Sequence, residues 1–171
     1  MSFHTLRLLA LGAILACDTG EHDECMESPE SDVEFIDAMV PHHQAAIEMA
    51  DMELERGDSP AVKAVARMIK EAQAPEISQM RAIRAQLTGY DIVPERHDPH
   101  SMADMEKLMA LSGPALDRGF LEAMIPHHAD AITMSHQSLP YLRRAELRTM
   151  ADQIVLTQAR EIGEFVAMLT M

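Results

Sequence analysis

FIDAMVPHHQAAIEM, residues 35–49, returns 85 positions later as FLEAMIPHHADAITM, residues 120–134. The correspondence continues without a gap. Gln73-x-x-Glu76-Ile77 is answered by Gln158-x-x-Glu161-Ile162, and Val62, Ala66 and Ile69 by Leu147, Ala151 and Ile154. A unit of roughly fifty residues has been duplicated, and the repeat organises the chain before any element is assigned.

Each unit reads as two helices. Phe35, Ile36, Met39, His43, Ala46, Ile47, Ala50 and Leu54 recur at helical spacing. Gly57 and Asp58-Ser59-Pro60 stop that helix and start the next. Val62, Val65, Ala66, Ile69, Gln73, Glu76, Ile77, Met80, Ile83 and Leu87 form one stripe of the second helix. In the second unit the break falls near Ser138-Leu139-Pro140. The last stripe is Leu147, Met150, Ile154, Gln158, Glu161, Phe165 and Leu169. Between the units, Gly89, Pro94 and Pro99 mark a loop, Ser101 caps a short helix to Leu111, and Gly113-Pro114 closes it. Two amphipathic hairpins cannot each bury a stripe alone. Together they make an all-α four-helix bundle with a pseudo-twofold axis.

The bulk numbers agree. Of 171 residues 47% are hydrophobic, 4% are aromatic, and 15 are Met, a composition suited to helix-on-helix packing. The formal charge of −14 argues against nucleic acid and for cations as partners. No Lys or Arg lies between Arg7 and Arg56, and the acid-rich stretch from Asp18 to Glu34 reads as a solvated tether.

The N-terminus reads as a targeting segment. Arg7 precedes an apolar run, Leu8 to Ala16, too short to span a bilayer. The run ends in Ile14-Leu15-Ala16-Cys17, which resembles a bacterial lipoprotein signal. That resemblance implies cleavage before Cys17, lipid on its sulfur and membrane anchoring in the cell envelope. An ordinary secreted protein with a Cys17–Cys25 disulfide is the alternative. The expected layout is a signal peptide over 1–16, a tether over 17–31 and one bundle domain over 32–171. Within the domain, unit one spans 32–88, a linker 89–116 and unit two 117–171.

Chemistry collects on one face. At 100° per residue, Met39, His42, His43, Ala46 and Met49 fall within one half of the first helix. Pro41 and Pro126 lie inside helices, where each clashes with the carbonyl four residues back, so a kink is expected beside each histidine pair. Gln73 and Glu76 interrupt an apolar stripe, as Gln158 and Glu161 do again. A buried carboxylate needs a partner, and the facing histidines are the nearest candidates. The His-His pair and the Gln-x-x-Glu pair are expected to meet inside the bundle.

Two readings compete there. In one, His–Glu pairs only fix how the helices pack. In the other, His nitrogens and Met sulfurs bind a metal, with Glu as a ligand or as the group that orients a His. Duplication of the whole Met/His cluster favours the second. Thioethers select Cu(I), with Ag(I) as its mimic, while imidazole suits both copper states and zinc. Neither Glu-x-x-His nor His-Glu-x-x-His occurs, and paired Cys sets are absent. Di-iron and structural zinc sites are thus disfavoured, and copper fits best. In the linker His97, His100 and Met102 offer a further soft site, though Met102, Met105 and Met109 also follow core spacing. His4, His22 and His136 receive no role. A copper-sequestering protein leads. The rivals are a redox enzyme, which would need an open coordination position, and a metal-free structural module.

The pattern Phe35, Met39, His42-His43, Ala46, Met49, Gln73-x-x-Glu76-Ile77-x-x-Met80 is similar to the bacterial domain-of-unknown-function 305 family, in its long form with two units joined by a His/Met-containing segment. The resemblance covers about residues 32–171. It implies a ferritin-like bundle, export and, for some members, copper binding with a role in copper tolerance. Carried over by position, it implies Met39, His42, His43 and Met49, then Met124, His127, His128 and Met134, as ligands, with Glu76 and Glu161 close by. Met80 is answered by Phe165, which leaves the second unit one sulfur short.

Overall fold

The computed structural model describes residues 29–94 and 99–171. It holds α1 (Pro29–Arg56), α2 (Pro60–Thr88), α3 (Pro99–Met109), α4 (Pro114–Ser138) and α5 (Ala145–Leu169). The signal peptide and nearly all of the expected tether lie outside these residues. So do Cys17 and Cys25. Helix α1 starts at Pro29, so the end of the stretch read as tether is helical.

The hairpins α1–α2 and α4–α5 form as expected, and α1 packs on α4 to join them. Local chemistry sets the ends. Ser59 caps α2, accepting from the Val62 N–H, and Pro60 takes the first helical position. Gly89 ends α2 at φ 82°, where its N–H reaches the Ala85 carbonyl. Helices α1, α2 and α4 run unbroken through Pro41, Pro75 and Pro126.

The core divides into two apolar clusters. One gathers Phe35, Ile36, Met39 and Val40 with Ile77, Met80, Ile83 and the first half of α5. The other gathers Ala46, Met49 and Ala50 with Val62, Ile69, Leu116, Phe120, Met124 and Phe165. Between them every long helix contributes polar residues: His42 and His43, Gln73 and Glu76, His127 and His128, Gln158 and Glu161.

Two aspartates tie the hairpins together. Asp117, in the first turn of α4, accepts the backbone N–H groups of Asp58 (2.8 Å) and Ser59 (3.0 Å) at the other hairpin's turn. Asp32 does the same for Arg143 (2.8 Å) and Arg144 (3.1 Å). Each carboxylate satisfies two donors left over where a helix begins. The solvated reading of the acidic stretch therefore fails at its end, because Asp32 is only 1% exposed. Glu53 is also buried, and its carboxyl lies so close over Gly57 that any β-carbon there would collide with it.

Helix α3 corrects two further expectations. It begins at Pro99, so Ser101 sits inside it, buried, rather than capping it. Met102 and Met109 are more than half exposed. The buried face instead runs through Ser101 and Leu108, with Met105 partly buried against the core. A register of i, i+4, i+7 replaces the expected i, i+3, i+7, and both are helical spacings.

Candidate metal centre

The four histidines of the doubled motif are all inside, none more than 8% exposed. As expected, one histidine of each pair meets the glutamate of a Gln-x-x-Glu motif. His43 Nε2 lies 2.8 Å from Glu76 Oε2, and His128 Nε2 lies 2.8 Å from Glu161 Oε2. A carboxylate only accepts, so Nε2 carries the hydrogen in each pair and Nδ1 keeps the lone pair. Both Nδ1 atoms are buried and accept no hydrogen bond.

The other two imidazoles meet across the bundle. The His42 and His127 rings stand 3.7 Å apart, centroid to centroid, tilted by 36°. Within each pair of neighbours the rings are 6.2 Å apart. Burial pushes His127 well below the usual histidine range, and the adjacent imidazoles of His42, His128 and His43 push it further. The backbone of His42 opposes this only weakly. His127 is therefore neutral at pH 7, and apart from a weak hydrogen bond to the His42 backbone its ring nitrogens have no partner.

Thioethers flank the layer. Met39 and Met124 lie one turn before the histidine pairs and are fully buried, as are Met49, two turns beyond, and Met80, one turn from Glu76. Two positions depart from symmetry. Met134, the counterpart of Met49, is only partly buried and lines an open groove with Phe35 and Tyr141. Phe165, the counterpart of Met80, sets its ring edge against His128 at 5.1 Å. The second unit thus has a ring contact where the first has a sulfur.

The donors share a layer without converging on a point. Among the described residues no three His, Cys, Asp or Glu side chains already surround a common position. In the linker, His97 lies outside the described residues and only the backbone of His100 is described. Met102 is exposed in the same turn.

Sequence reasoning missed the stacking of His42 on His127. It depends on the register of α1 against α4, which no periodicity within one helix encodes. It also missed Asp32, Asp117 and Glu53, whose partners are backbone groups or carboxyls far away in sequence. The equal 85-residue spacing of Asp32 and Asp117 was the available signal.

The family model described as "Domain of unknown function (DUF305)" matches residues 32–169. The chain belongs to the DUF305 family. Its solved relatives include CopM in a Cu(I)-bound form, 32% identical, covering 81% of this chain and 95% of that one at a TM-score of 0.73. CopM has also been solved bound to Cu(II) and to Ag, and in an apo form. A DUF305 fragment from Deinococcus radiodurans is 30% identical, covering 82% of this chain and 95% of that one at a TM-score of 0.73. A DUF305 protein from Streptomyces coelicolor, assigned as secreted, is 26% identical and covers 82% and 91% at 0.72. No curated protein matches the chain. The all-helical fold is common to this chain and these relatives.

Proposed function

We propose that this protein binds copper, Cu(I) foremost, in the polar layer of its bundle and sequesters it in the cell envelope, where Cys17 carries a lipid anchor. One observation carries the reading. The layer is buried, yet it keeps lone pairs with nothing to accept: Nδ1 of His43 and His128, and the unprotonated ring nitrogen of His127. A polar layer retained only for packing would satisfy its groups, because each orphan costs about 1–3 kcal/mol. Lone pairs left open beside buried thioethers suit a soft cation.

The two carboxylates have a defined part. By holding Nε2–H, Glu76 and Glu161 present Nδ1 of His43 and His128 to the metal and raise its basicity. They act as orienting groups, and Met39, Met49, Met80 and Met124 are the sulfur donors within reach of the layer. Met134 and the Met102 segment, being more open, are weaker candidates. His42 and His127 must part for a metal to enter between them. Zinc would use the imidazoles and forgo the sulfurs. CopM, solved with Cu(I), Cu(II) and Ag, supports the choice of metal. The relative assigned as secreted supports export. A redox enzyme would need room for its substrate, and the cavity against this layer measures about 10 Å³, the space of one water.

Equilibrium dialysis against buffered copper tests the proposal. The wild type retains copper, and Glu76→Gln with Glu161→Gln weakens retention by about 10–100-fold, the usual cost of losing a group that orients a metal-bound His. Unchanged affinity in that variant would contradict the orienting role, and no retention by the wild type would contradict the function.

A further inference from the structure

Helices α2 and α5 are not among the pairs that pack closely. Where the two face each other lies the small cavity, lined by Ile69, Ala72, Gln73 and Glu76 of α2 and by Ile154, Thr157, Gln158 and Glu161 of α5. Two amides and two carboxylates are thus part of its lining. The carboxamide oxygens of Gln73 and Gln158 are buried, in residues 2% and 3% exposed, and neither accepts a hydrogen bond. The Glu76 side chain is 24% exposed, while the His43 imidazole behind it is fully buried. The Glu76 carboxylate thus reaches outward from its histidine, whereas the Glu161 side chain is only 8% exposed; both line the cavity with the carboxamides.

This arrangement is costly as packing. Leu at Gln73 and Gln158 would fill a similar volume without an orphaned oxygen, and such replacements are commonly neutral or stabilising. Both units nevertheless carry the amide at the same position. Building on the copper reading above, we propose that the α2–α5 cleft is the entrance to the layer: a transit site of four oxygen donors that strips water from an incoming cation and passes it inward. Carboxylates draw the cation in, and carboxamide oxygens replace part of its hydration shell. Oxygen donors hold soft copper weakly, whereas imidazole and thioether hold it tightly, so the ion moves down a gradient of affinity toward the histidines. A cavity the size of one water admits a dehydrated ion and excludes a chelate.

The test is stopped-flow uptake of Cu(II), followed by its charge-transfer absorption with imidazole, in the full-length protein and in Gln73→Leu/Gln158→Leu. An entrance lies on the path and not at its end. Uptake and release therefore both slow by the same factor, about tenfold for a barrier raised by 1.4 kcal/mol, and the final copper content is unchanged. The Tm of the metal-free variant rises, a readout independent of copper. Wild-type rates in the variant, or a change in release alone, would overturn the entrance and leave the copper reading standing. Absence of uptake by the unmodified protein would overturn both.

Discussion

Replacing Glu53 by Gln abolishes most of the loss of stability that the wild type suffers between about pH 5 and pH 8. Glu53 has no solvent-exposed surface, and neither of its oxygens accepts a hydrogen bond, so the ionised form has nothing to stabilise it. As the neutral acid it donates to Asp117, whose own oxygens are held by Asp58 and Ser59. Burial and the proximity of Asp117 push Glu53 up to about 8, against a weaker downward pull from Lys63 of α2. The unfolded chain releases this proton near the ordinary value of 4.5, and the folded chain keeps it until about 8. Stability is thus fullest below the unfolded value and falls as pH rises toward the folded one, by up to about 1.4 kcal/mol per pH unit. His127 works in the other direction: it is neutral when folded, so its contribution is lost as pH falls below the ordinary histidine value. Urea unfolding of wild type and Glu53→Gln across this range isolates the Glu53 part. The difference between the two grows with pH by a few kcal/mol in total. Parallel curves would show that Glu53 is ionised in the folded protein.

The second large effect is on copper. The protein carrying His42→Ala, His43→Ala, His127→Ala and His128→Ala retains no copper in its interior, because every imidazole of the layer is gone. Four truncations in a packed core also leave cavities, each costly. A companion with Leu at the same four positions keeps the volume and stays folded. It also frees Glu76 and Glu161 of their imidazole partners. Equilibrium dialysis of both variants gives the same answer if the layer is the site. Copper held by the Leu variant at the wild-type level would place the metal elsewhere.

Much of this molecule was legible in its sequence. The repeated motif and its 85-residue offset defined two hairpins, and the buried stripes of α2 and α5 follow the predicted positions almost residue for residue. The meeting of His43 with Glu76 and of His128 with Glu161 was legible too, because a polar residue inside an apolar stripe must be paid for by a partner nearby. What escaped was long-range and not periodic. Asp32 looked like one more acid in an acidic run, yet its partners are backbone N–H groups at Arg143 and Arg144. Glu53 received no role from the sequence, yet it is buried beside Asp117 in the first turn of α4. In α3, Met102 and Met105 stand at spacings that fit either of two helical faces. The choice fell to Leu108, which reaches the core.

Anomalous diffraction at the copper edge from copper-loaded crystals tests the central claim most directly. The account predicts a scatterer within the layer, bonded to Nδ1 of His43 or His128, with the His42–His127 contact opened. A scatterer confined to Met102 on α3 or to surface carboxylates, with those two rings still stacked 3.7 Å apart, would contradict it.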